Sequence, residues 1–289
     1  MNLHYKISGS GPVLLLIHGA YINSDIWHYQ EIYFKQYFRV LSVDLRGHGR
    51  TPQSELQEYK VDTFGEDLLH LMDELGIEKV CVCGLSLGAM IAQYLASSYP
   101  SRIQGIVLVG ATASLRLNVT ERIITTLIFP KWIAMRLFGR LTTKEFMKIS
   151  FFLTWFMLGN KWLGNSSTRE KIRSSIAQVP RSELKKIYNA VHTFRLQDLQ
   201  KGDFPVLIIS GENDSPVIHR HSEYLKRKVG SRGSHFKIES AGHACNHDQP
   251  FVFNQILHDW FKDFGIINPE EARMVESKSS KANFILKGR

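Results

Sequence analysis

The sequence predicts an α/β protein built around a mostly parallel sheet. Short apolar runs such as Val13–Ile17 and Val206–Ser210 are typical of strands that are buried on both faces. Helix-forming segments alternate with these runs, as they do in βαβ units. A chain of 289 residues is long enough to bury one large core of this kind.

Seven runs have a strand pattern, in chain order Leu3–Ser8, Val13–Ile17, Arg39–Val43, Val80–Cys83, Ile103–Val109, Val206–Ser210 and His235–Ile238. The first run alternates apolar and polar residues, and the turn sequence GSGP separates it from the second. Helical spacing predicts helices over Asp62–Leu75, Ala89–Ser98 and Phe251–Phe261. Gly76 and Pro100 mark the ends of the first two helices.

The alternation of strands and helices is interrupted once, between Thr112 and about Leu199. There, Phe, Trp, Ile and Met mix with Lys and Arg at helical spacing, without a strand pattern. We interpret this region as a helical cap over the edge of the sheet. The predicted domains are a core formed by residues 1–112 and 200–265, a cap over residues 113–199 and a polar, loosely held tail over residues 266–289.

The positive charge of the chain is regional. The net charge is +9, but residues 115–195 contain 15 Lys or Arg and only four Asp or Glu, so the rest of the chain is close to neutral. A uniformly basic chain would favour nucleic acid, which we therefore do not expect as a partner. One basic region fits an anionic small substrate, an acidic surface or an anionic lipid headgroup, and equally a solvated face.

Cysteine usage and the first residues predict a cytoplasmic protein. The three cysteines, Cys81, Cys83 and Cys245, lack the spacing of a disulfide framework or a zinc site. The opening sequence MNLHYKISGSGP lacks the apolar core of a signal peptide. No apolar run reaches the roughly 18 to 20 residues that span a membrane.

The segment Gly84-Leu85-Ser86-Leu87-Gly88 matches the pattern G-x-S-x-G, with a strand before it and a helix after it. A strand that turns into a helix without a loop crowds the backbone at the corner, and glycine two positions away on each side removes the colliding side chains. The corner therefore presents the Ser86 hydroxyl above the sheet, near the positive end of the helix. We interpret Ser86 as a nucleophile.

A serine hydroxyl needs a base, and the base needs an acid that fixes its tautomer. His243 follows the strand run HFKIE, and Asp214 follows VLIIS, so both lie at the carboxyl ends of strands, where open α/β sheets place their sites. Glu212 is the alternative acid in the same loop. We prefer Asp214, because its position before Ser215-Pro216 suits a side chain turned into the site. His247 is predicted to be a surface or capping residue.

The charge that develops on a carbonyl oxygen needs N–H donors. The backbone N–H of Leu87, just after the nucleophile, is one expected donor. The loop Ile17-His18-Gly19-Ala20 follows an early strand, and Ala20 is our choice for the second N–H. We interpret His18 as a structural residue that holds this loop by hydrogen bonds.

These motifs together resemble the α/β-hydrolase superfamily. The matching pieces are LLLIHGAYINSDIW, VLSVDLRGHGRT, VCGLSLGAMIAQYLASSYPSRIQGIVLVGA, VLIISGENDSPV and IESAGHACNHDQP. The resemblance implies an eight-stranded, mostly parallel sheet with helices on both faces and a helical cap inserted after strand 6. It also implies the triad Ser86, Asp214 and His243, and an oxyanion hole formed by Ala20 and Leu87. Among subgroups, the sequence is similar to carboxylesterases, enol-lactonases and cofactor-free haloperoxidase-like enzymes.

The aromatic residues of the cap suggest a substrate pocket. Most of them are expected to pack against the sheet edge and each other. The rest could line an apolar acyl pocket, for which the candidates are Trp27, Met90, Phe151, Phe152, Trp155 and Phe156. Trp together with Lys and Arg could also rest on an acidic lipid surface, a use that we rank below the pocket.

The predicted function is that of a serine hydrolase that cleaves a carboxylic ester, lactone or thioester through an acyl-enzyme, without a metal or an organic cofactor. The expected partner is a small-molecule ester, either anionic or bearing an acyl chain. The same triad would also serve an acyltransferase, a C–C hydrolase or a perhydrolase. An alternative of another class is a hydrolase-like receptor that binds a ligand and signals through its cap. The sequence does not determine the oligomeric state.

Overall fold

The computed structural model describes residues 1–123, 131–138 and 140–267. The remaining residues of the predicted cap (124–130 and 139) and of the predicted tail (268–289) lie outside the described residues. The strands are β1 (His4–Ser8), β2 (Val13–Ile17), β3 (Arg39–Asp44), β4 (Val80–Leu85), β5 (Ile103–Val109), β6 (Val206–Gly211) and β7 (Gly233–Ile238).

The strands form one sheet in the order β1-β3-β2-β4-β5-β6-β7. β1 pairs with β3 in antiparallel orientation, and all the other pairs are parallel. The described residues thus form seven strands, one for each strand run of the sequence, and the eighth strand implied by the resemblance does not occur among them. The helical region therefore follows the fifth strand and not the sixth.

Helices cover both faces of the sheet. They are α1 (His28–Phe34), α2 (Val61–Glu74), α3 (Leu87–Ser98), α4 (Val119–Ile123), α5 (Lys131–Phe138), α6 (Thr143–Leu158), α7 (Ser166–Ile176), α8 (Arg181–Thr193), α9 (Pro216–Val229), α10 (Cys245–Asp248) and α11 (Pro250–Asp263). No helix in these described ranges combines the length and the apolar character needed to cross a bilayer.

The alternation of side chains along the strands creates two cores. On β2, Leu15 and Ile17 belong to one buried cluster, while Leu14 and Leu16 belong to the other. The first cluster includes apolar residues of α2, α3 and α8, and the second includes apolar residues of α1 and α11. Because both faces are covered, the central strands read as continuous apolar runs in the sequence.

The region between β5 and β6 contains α4 to α8, joined by turns and loops, and no strand occurs among its described residues. We call residues 113–199 the helical segment. It joins the core through buried polar contacts: the Tyr59 hydroxyl donates to Glu183 of α8, and the Lys186 ammonium donates to the Ser54 carbonyl at 2.6 Å. These contacts fix α8 over the loop that follows β3.

Candidate active site

Ser86 occupies the corner between β4 and α3. Its φ of 54° and ψ of −107° lie outside the ordinary regions for an L residue. The Ser86 N–H donates to the Val109 carbonyl of β5 at 2.8 Å, and the Met90 N–H donates to the Ser86 carbonyl at 3.1 Å. The corner is therefore held by the neighbouring strand and by the first turn of α3.

The two glycines of the motif are required by close backbone contacts. A Cβ at Gly84 would lie 2.2 Å from the Gly88 carbonyl oxygen, and a Cβ at Gly88 would lie 2.1 Å from the Ile17 carbonyl oxygen. No side chain fits at either distance. The absence of these side chains brings α3 against both β4 and the loop that follows β2.

His243 and Asp214 form a pair at the carboxyl ends of β7 and β6. His243 Nδ1 lies 3.1 Å from Asp214 Oδ1 and 3.0 Å from Oδ2. The Asp214 side chain is fully buried, and that of His243 is 18% exposed. The alternative acid Glu212 instead accepts a hydrogen bond from the Ser240 N–H at 2.9 Å. The geometry thus pairs the histidine with Asp214.

The environment of His243 favours its protonated form. Burial disfavours the imidazolium, but the charge of Asp214 and the hydrogen bond to it outweigh this effect, so the pKa of His243 is raised above its ordinary value. A carboxylate in this position stabilises a histidine that takes up a proton.

Trp162, in the helical segment between α6 and α7, holds both members of this pair, and the sequence analysis did not identify it. Its Nε1–H donates to Asp214 Oδ1 at 2.9 Å, and its ring stacks on the His243 ring with centroids 4.8 Å apart and planes 14° apart. Its carbonyl accepts from the His243 N–H at 2.9 Å. No local pattern in the sequence distinguishes it from the other tryptophans.

Gly110 also lies against the His243 ring. It follows β5 with a φ of +55°, and a Cβ there would lie 2.7 Å from His243 Cε1 and 2.9 Å from Nδ1. The ring of His243 therefore packs against a tryptophan ring and against backbone that carries no side chain. Gly110 directly follows a predicted strand, and this position was the only signal in the sequence.

The loop that follows β2 lies against the serine corner. A Cβ at Gly19 would be 3.4 Å from the Ser86 Cβ, and Ala20 lines the same cavity as Ser86. His18 is buried and holds the loop: Nε2 accepts from the Leu45 N–H at 3.0 Å, and Nδ1 lies 2.7 Å from the Gly19 carbonyl. Burial lowers the pKa of His18 despite the nearby Asp44.

Leu87 is the first residue of α3, and its side chain is buried. The first N–H groups of a helix have no intrahelical acceptor, and they carry the positive end of the helix dipole. The Leu87 N–H therefore lies at the position where the sequence analysis expects an oxyanion donor. Neither helix geometry nor the buried side chain conflicts with that role.

A cavity of about 300 Å³ contains both Ser86 and His243 in its wall. Its other lining residues are Gly19, Ala20, Tyr21, Ile22, Leu85, Phe146, Ser150, Phe151, Thr154, Trp162, Leu163, Ile172, Ile176 and Ala244. The lining is mainly apolar, and no Lys or Arg belongs to it among the described residues. The basic charge of the helical segment therefore lies elsewhere.

Of the six predicted pocket residues, only Phe151 lines this cavity. Trp27 is buried in the core beneath the sheet, with its ring 6.1 Å from that of Phe253. Met90 lies one turn beyond Ser86 and packs into the core of the opposite face. The exposed residues Phe152, Trp155 and Phe156 point away from the cavity, because α6 presents only one face to it.

His247 was expected to be a surface or capping residue, and the structure excludes the surface position. It is buried, with Nδ1 2.9 Å from Thr168 Oγ1 of α7. Its neighbour Asp248 accepts from the N–H groups of Asn165 at 2.9 Å and Gly242 at 2.7 Å. These contacts join the helical segment to the loop that carries His243.

Titratable groups elsewhere do not form a metal site: within residues 1–123, 131–138 and 140–267, no group of three or more His, Cys, Asp or Glu could hold a metal ion. All three cysteines are free and buried.

Comparisons with known proteins agree with this architecture. The family described as alpha/beta hydrolase fold matches residues 12–250. The chain is 25% identical over 266 residues to 3-oxoadipate enol-lactonase 2 of Acinetobacter baylyi, which covers 91% of this chain and 94% of that protein. A hydrolase structure from Pseudomonas aeruginosa PA01 superposes with a TM-score of 0.75 at 24% identity, covering 90% of this chain and 94% of that one. A thermophilic esterase from Thermogutta terrifontis, with malate bound, gives a TM-score of 0.75 at 22% identity, covering 91% and 93%. This chain is a member of the α/β-hydrolase fold family.

Proposed function

We propose that this protein is a serine hydrolase that cleaves a small carboxylic ester or lactone. One observation carries the proposal: Ser86, held at a positive φ, shares a cavity with a histidine whose Nδ1 is 3.0 Å from a buried carboxylate. These are the nucleophile, base and acid of acyl transfer, and they occur in the chain order Ser, Asp, His. Two similar proteins, an enol-lactonase and an esterase, support the same class of reaction.

The proposed reaction proceeds in two steps. His243 Nε2, the nitrogen not paired with Asp214, removes the proton as Ser86 Oγ attacks the carbonyl carbon. The tetrahedral intermediate collapses to an acyl-enzyme, and His243 returns the proton to the leaving alkoxide. Water, deprotonated by the same nitrogen, then attacks the acyl carbon, and His243 returns this proton to Ser86 Oγ as the acid is released.

Two features of the site would lower the barrier. The charge of Asp214 stabilises the imidazolium that forms in each step, in agreement with the raised pKa of His243. The N–H groups of Leu87 and Ala20 would hold the oxyanion, the first of them at the positive end of α3. Removal of one such donor typically costs about 10²–10³ in kcat.

The cavity lining favours an uncharged, apolar acyl group. Among the described residues, no Lys or Arg lines the cavity to pair with a substrate carboxylate, and most of the lining side chains are aliphatic or aromatic. Because a buried carboxylate without a partner is costly, an acyl chain that ends in a methyl group would bind better than one that ends in a carboxylate. We therefore place apolar acyl esters ahead of anionic ones.

The test combines kinetics with covalent labelling. We expect wild type to hydrolyse p-nitrophenyl esters and Ser86→Ala to lose several orders of magnitude in kcat. A fluorophosphonate probe should label wild type stoichiometrically and leave Ser86→Ala unlabelled. A folded wild type that neither labels nor hydrolyses would contradict the enzyme proposal and support a ligand receptor. Product analysis with added alcohol, peroxide or diketone separates hydrolysis from the other reactions of this triad.

A further inference from the structure

The helix α6 has an outer face that is apolar and exposed. Phe156 is 73% exposed, Met157 60%, Phe152 59% and Trp155 50%. The Phe152 ring stacks on that of Phe156 with centroids 6.3 Å apart, and it lies 6.1 Å from that of Trp155. A contiguous aromatic patch of this kind on a surface marks a site of interaction. We call these four residues the aromatic ridge.

Exposed basic residues lie on α6 before the aromatic ridge and just beyond the end of the helix. Lys144 and Lys148 precede Phe152 at intervals of four residues, so they lie on the same side of α6, and Lys161 follows the end of the helix. Neither Lys144 nor Lys161 forms an ion pair within the part of the chain that the structure describes. The ridge therefore stands in a positive field.

Two of the five acidic residues of the helical segment are engaged internally, so they do not neutralise this field. Glu121 is paired with His221 at 3.0 Å, and Glu183 is paired with Lys186 at 2.9 Å. Glu145 caps α6 by accepting from the Thr142 N–H at 2.8 Å. The excess charge of residues 115–195 is thus available at the surface.

We propose that the aromatic ridge docks this protein on an anionic lipid surface. Aromatic and Met side chains would enter the boundary between headgroups and acyl chains, while the lysines on and just after α6 remain at the level of the lipid phosphates. A second copy of this chain fits the ridge less well, because it would bring the same positive field into an apolar contact. Because the side chains of the ridge project from the surface, they can enter a deformable lipid layer, which does not need a preformed groove to receive them.

The inner face of the same helix reaches the proposed reaction site. Phe146, Ser150, Phe151 and Thr154 of α6 line the cavity that contains Ser86. Docking through the outer face would therefore place the cavity next to the source of apolar esters. Only this supply of substrate rests on the proposed hydrolase function, whereas the docking itself does not.

The experiment measures binding of the full chain to lipid vesicles by sedimentation, without any substrate. We expect binding to vesicles rich in phosphatidylglycerol, little binding to pure phosphatidylcholine, and weakening as salt increases. The double variant Phe152→Ser/Phe156→Ser should bind at least about tenfold more weakly, since two exposed rings no longer enter the lipid. Phe251→Ser is the matched control: Phe251 is 80% exposed on α11, outside the aromatic ridge, so its replacement should leave vesicle binding unchanged.

A second measurement does not depend on how the double variant folds. Vesicles rich in phosphatidylglycerol should shift the tryptophan emission of wild type to shorter wavelength, and Trp155→Phe should remove most of that shift. The proposal is overturned if the wild-type protein does not bind these vesicles at low salt. The proposal is also overturned if wild type binds the vesicles but the double variant and Trp155→Phe leave that binding unchanged. A third refuting outcome is that wild type forms a dimer, the double variant dissociates it, and neither protein binds lipid. Ser86→Ala should bind vesicles like wild type, so a failed hydrolase proposal would leave this one standing.

Discussion

Trp162→Phe tests whether the helical segment orients the proposed catalytic pair. The change keeps a ring over His243 and removes the N–H that lies 2.9 Å from Asp214 Oδ1. The carboxylate keeps the Ser215 N–H, which donates to the same oxygen at 2.8 Å, and the contact with His243. A hydrogen bond to a charged group contributes about 1.5–3 kcal/mol. If this energy orients the acid in the transition state, kcat/KM falls by about 10- to 150-fold.

The pH profile distinguishes this role from a general loss of structure. The Trp162 N–H offsets part of the negative charge of Asp214. Removal of this N–H therefore leaves more negative charge facing the imidazole and raises the pKa of His243. The base must be neutral to accept a proton, so the acid limb of kcat/KM should move to higher pH. The assay is kcat/KM for a p-nitrophenyl ester across the acid limb, for wild type and variant.

The control variant is Trp155→Phe, which makes the same change on the exposed face of α6 and should leave both the rate and the limb as in wild type. Trp162→Leu, which also removes the stacked ring, should lose more activity than Trp162→Phe. The reasoning is refuted if Trp162→Phe retains the wild-type rate and the wild-type acid limb, or if the rate falls equally at every pH.

Three further predictions concern Gly110 beside the His243 ring, Ile176 in the cavity wall and the buried His48. Gly110→Ala should abolish most esterase activity, because the new Cβ would lie 2.7 Å from His243 Cε1. Gly76→Ala is the control: Gly76 has a similar φ, but no atom lies within 4 Å of a Cβ there. It should lose a comparable amount of stability on urea unfolding and keep its activity. Ile176→Trp should fill part of the cavity and move the optimum of a p-nitrophenyl ester series to shorter acyl chains. Burial, and then the neighbouring His18, lower the pKa of His48 to about 3 in the folded protein. The stability gained from keeping His48 neutral is therefore complete above its unfolded-state pKa of about 6.5, and it is lost as the pH falls toward 3. His48→Gln should therefore flatten the decline in unfolding free energy between neutral and acidic pH, and an unchanged slope would contradict this account.

The fold could be predicted from the sequence because its central strands are buried on both faces. Val13–Ile17 contains only apolar residues, and Val206–Gly211 begins with four consecutive apolar residues, so each run predicts a buried strand. The helix α9 was not predicted, because its sequence PVIHRHSEYLKRKV is mostly polar and only its burial pattern reveals the apolar stripe. The eighth strand came from resemblance alone, without a run of its own.

The candidate site could be predicted only in part. The residues predicted for it lie in turns whose local sequence dictates their position: a glycine-flanked serine, and loops at the carboxyl ends of strands. Trp162 and Gly110 act on His243 across long separations in sequence, so no local pattern identifies them. The pocket residues failed for a related reason. The composition of α6 shows that it is aromatic, but it does not show which face the sheet domain covers.

The helical segment is fixed to the core at several separate points, and this determines how the cavity can select a substrate. Asp248 holds α7 through Thr168 at 2.5 Å, His221 holds α4 through Glu121, and Tyr59 holds α8 through Glu183. Each contact buries polar groups that would lose their partners if the segment moved away, at a cost of about 1–3 kcal/mol per group. The cavity wall is therefore formed before substrate binds, and selection rests on its volume and apolar lining. This is why Ile176→Trp, a change of wall volume alone, should alter the acyl preference while leaving the fluorophosphonate reactivity of Ser86 intact.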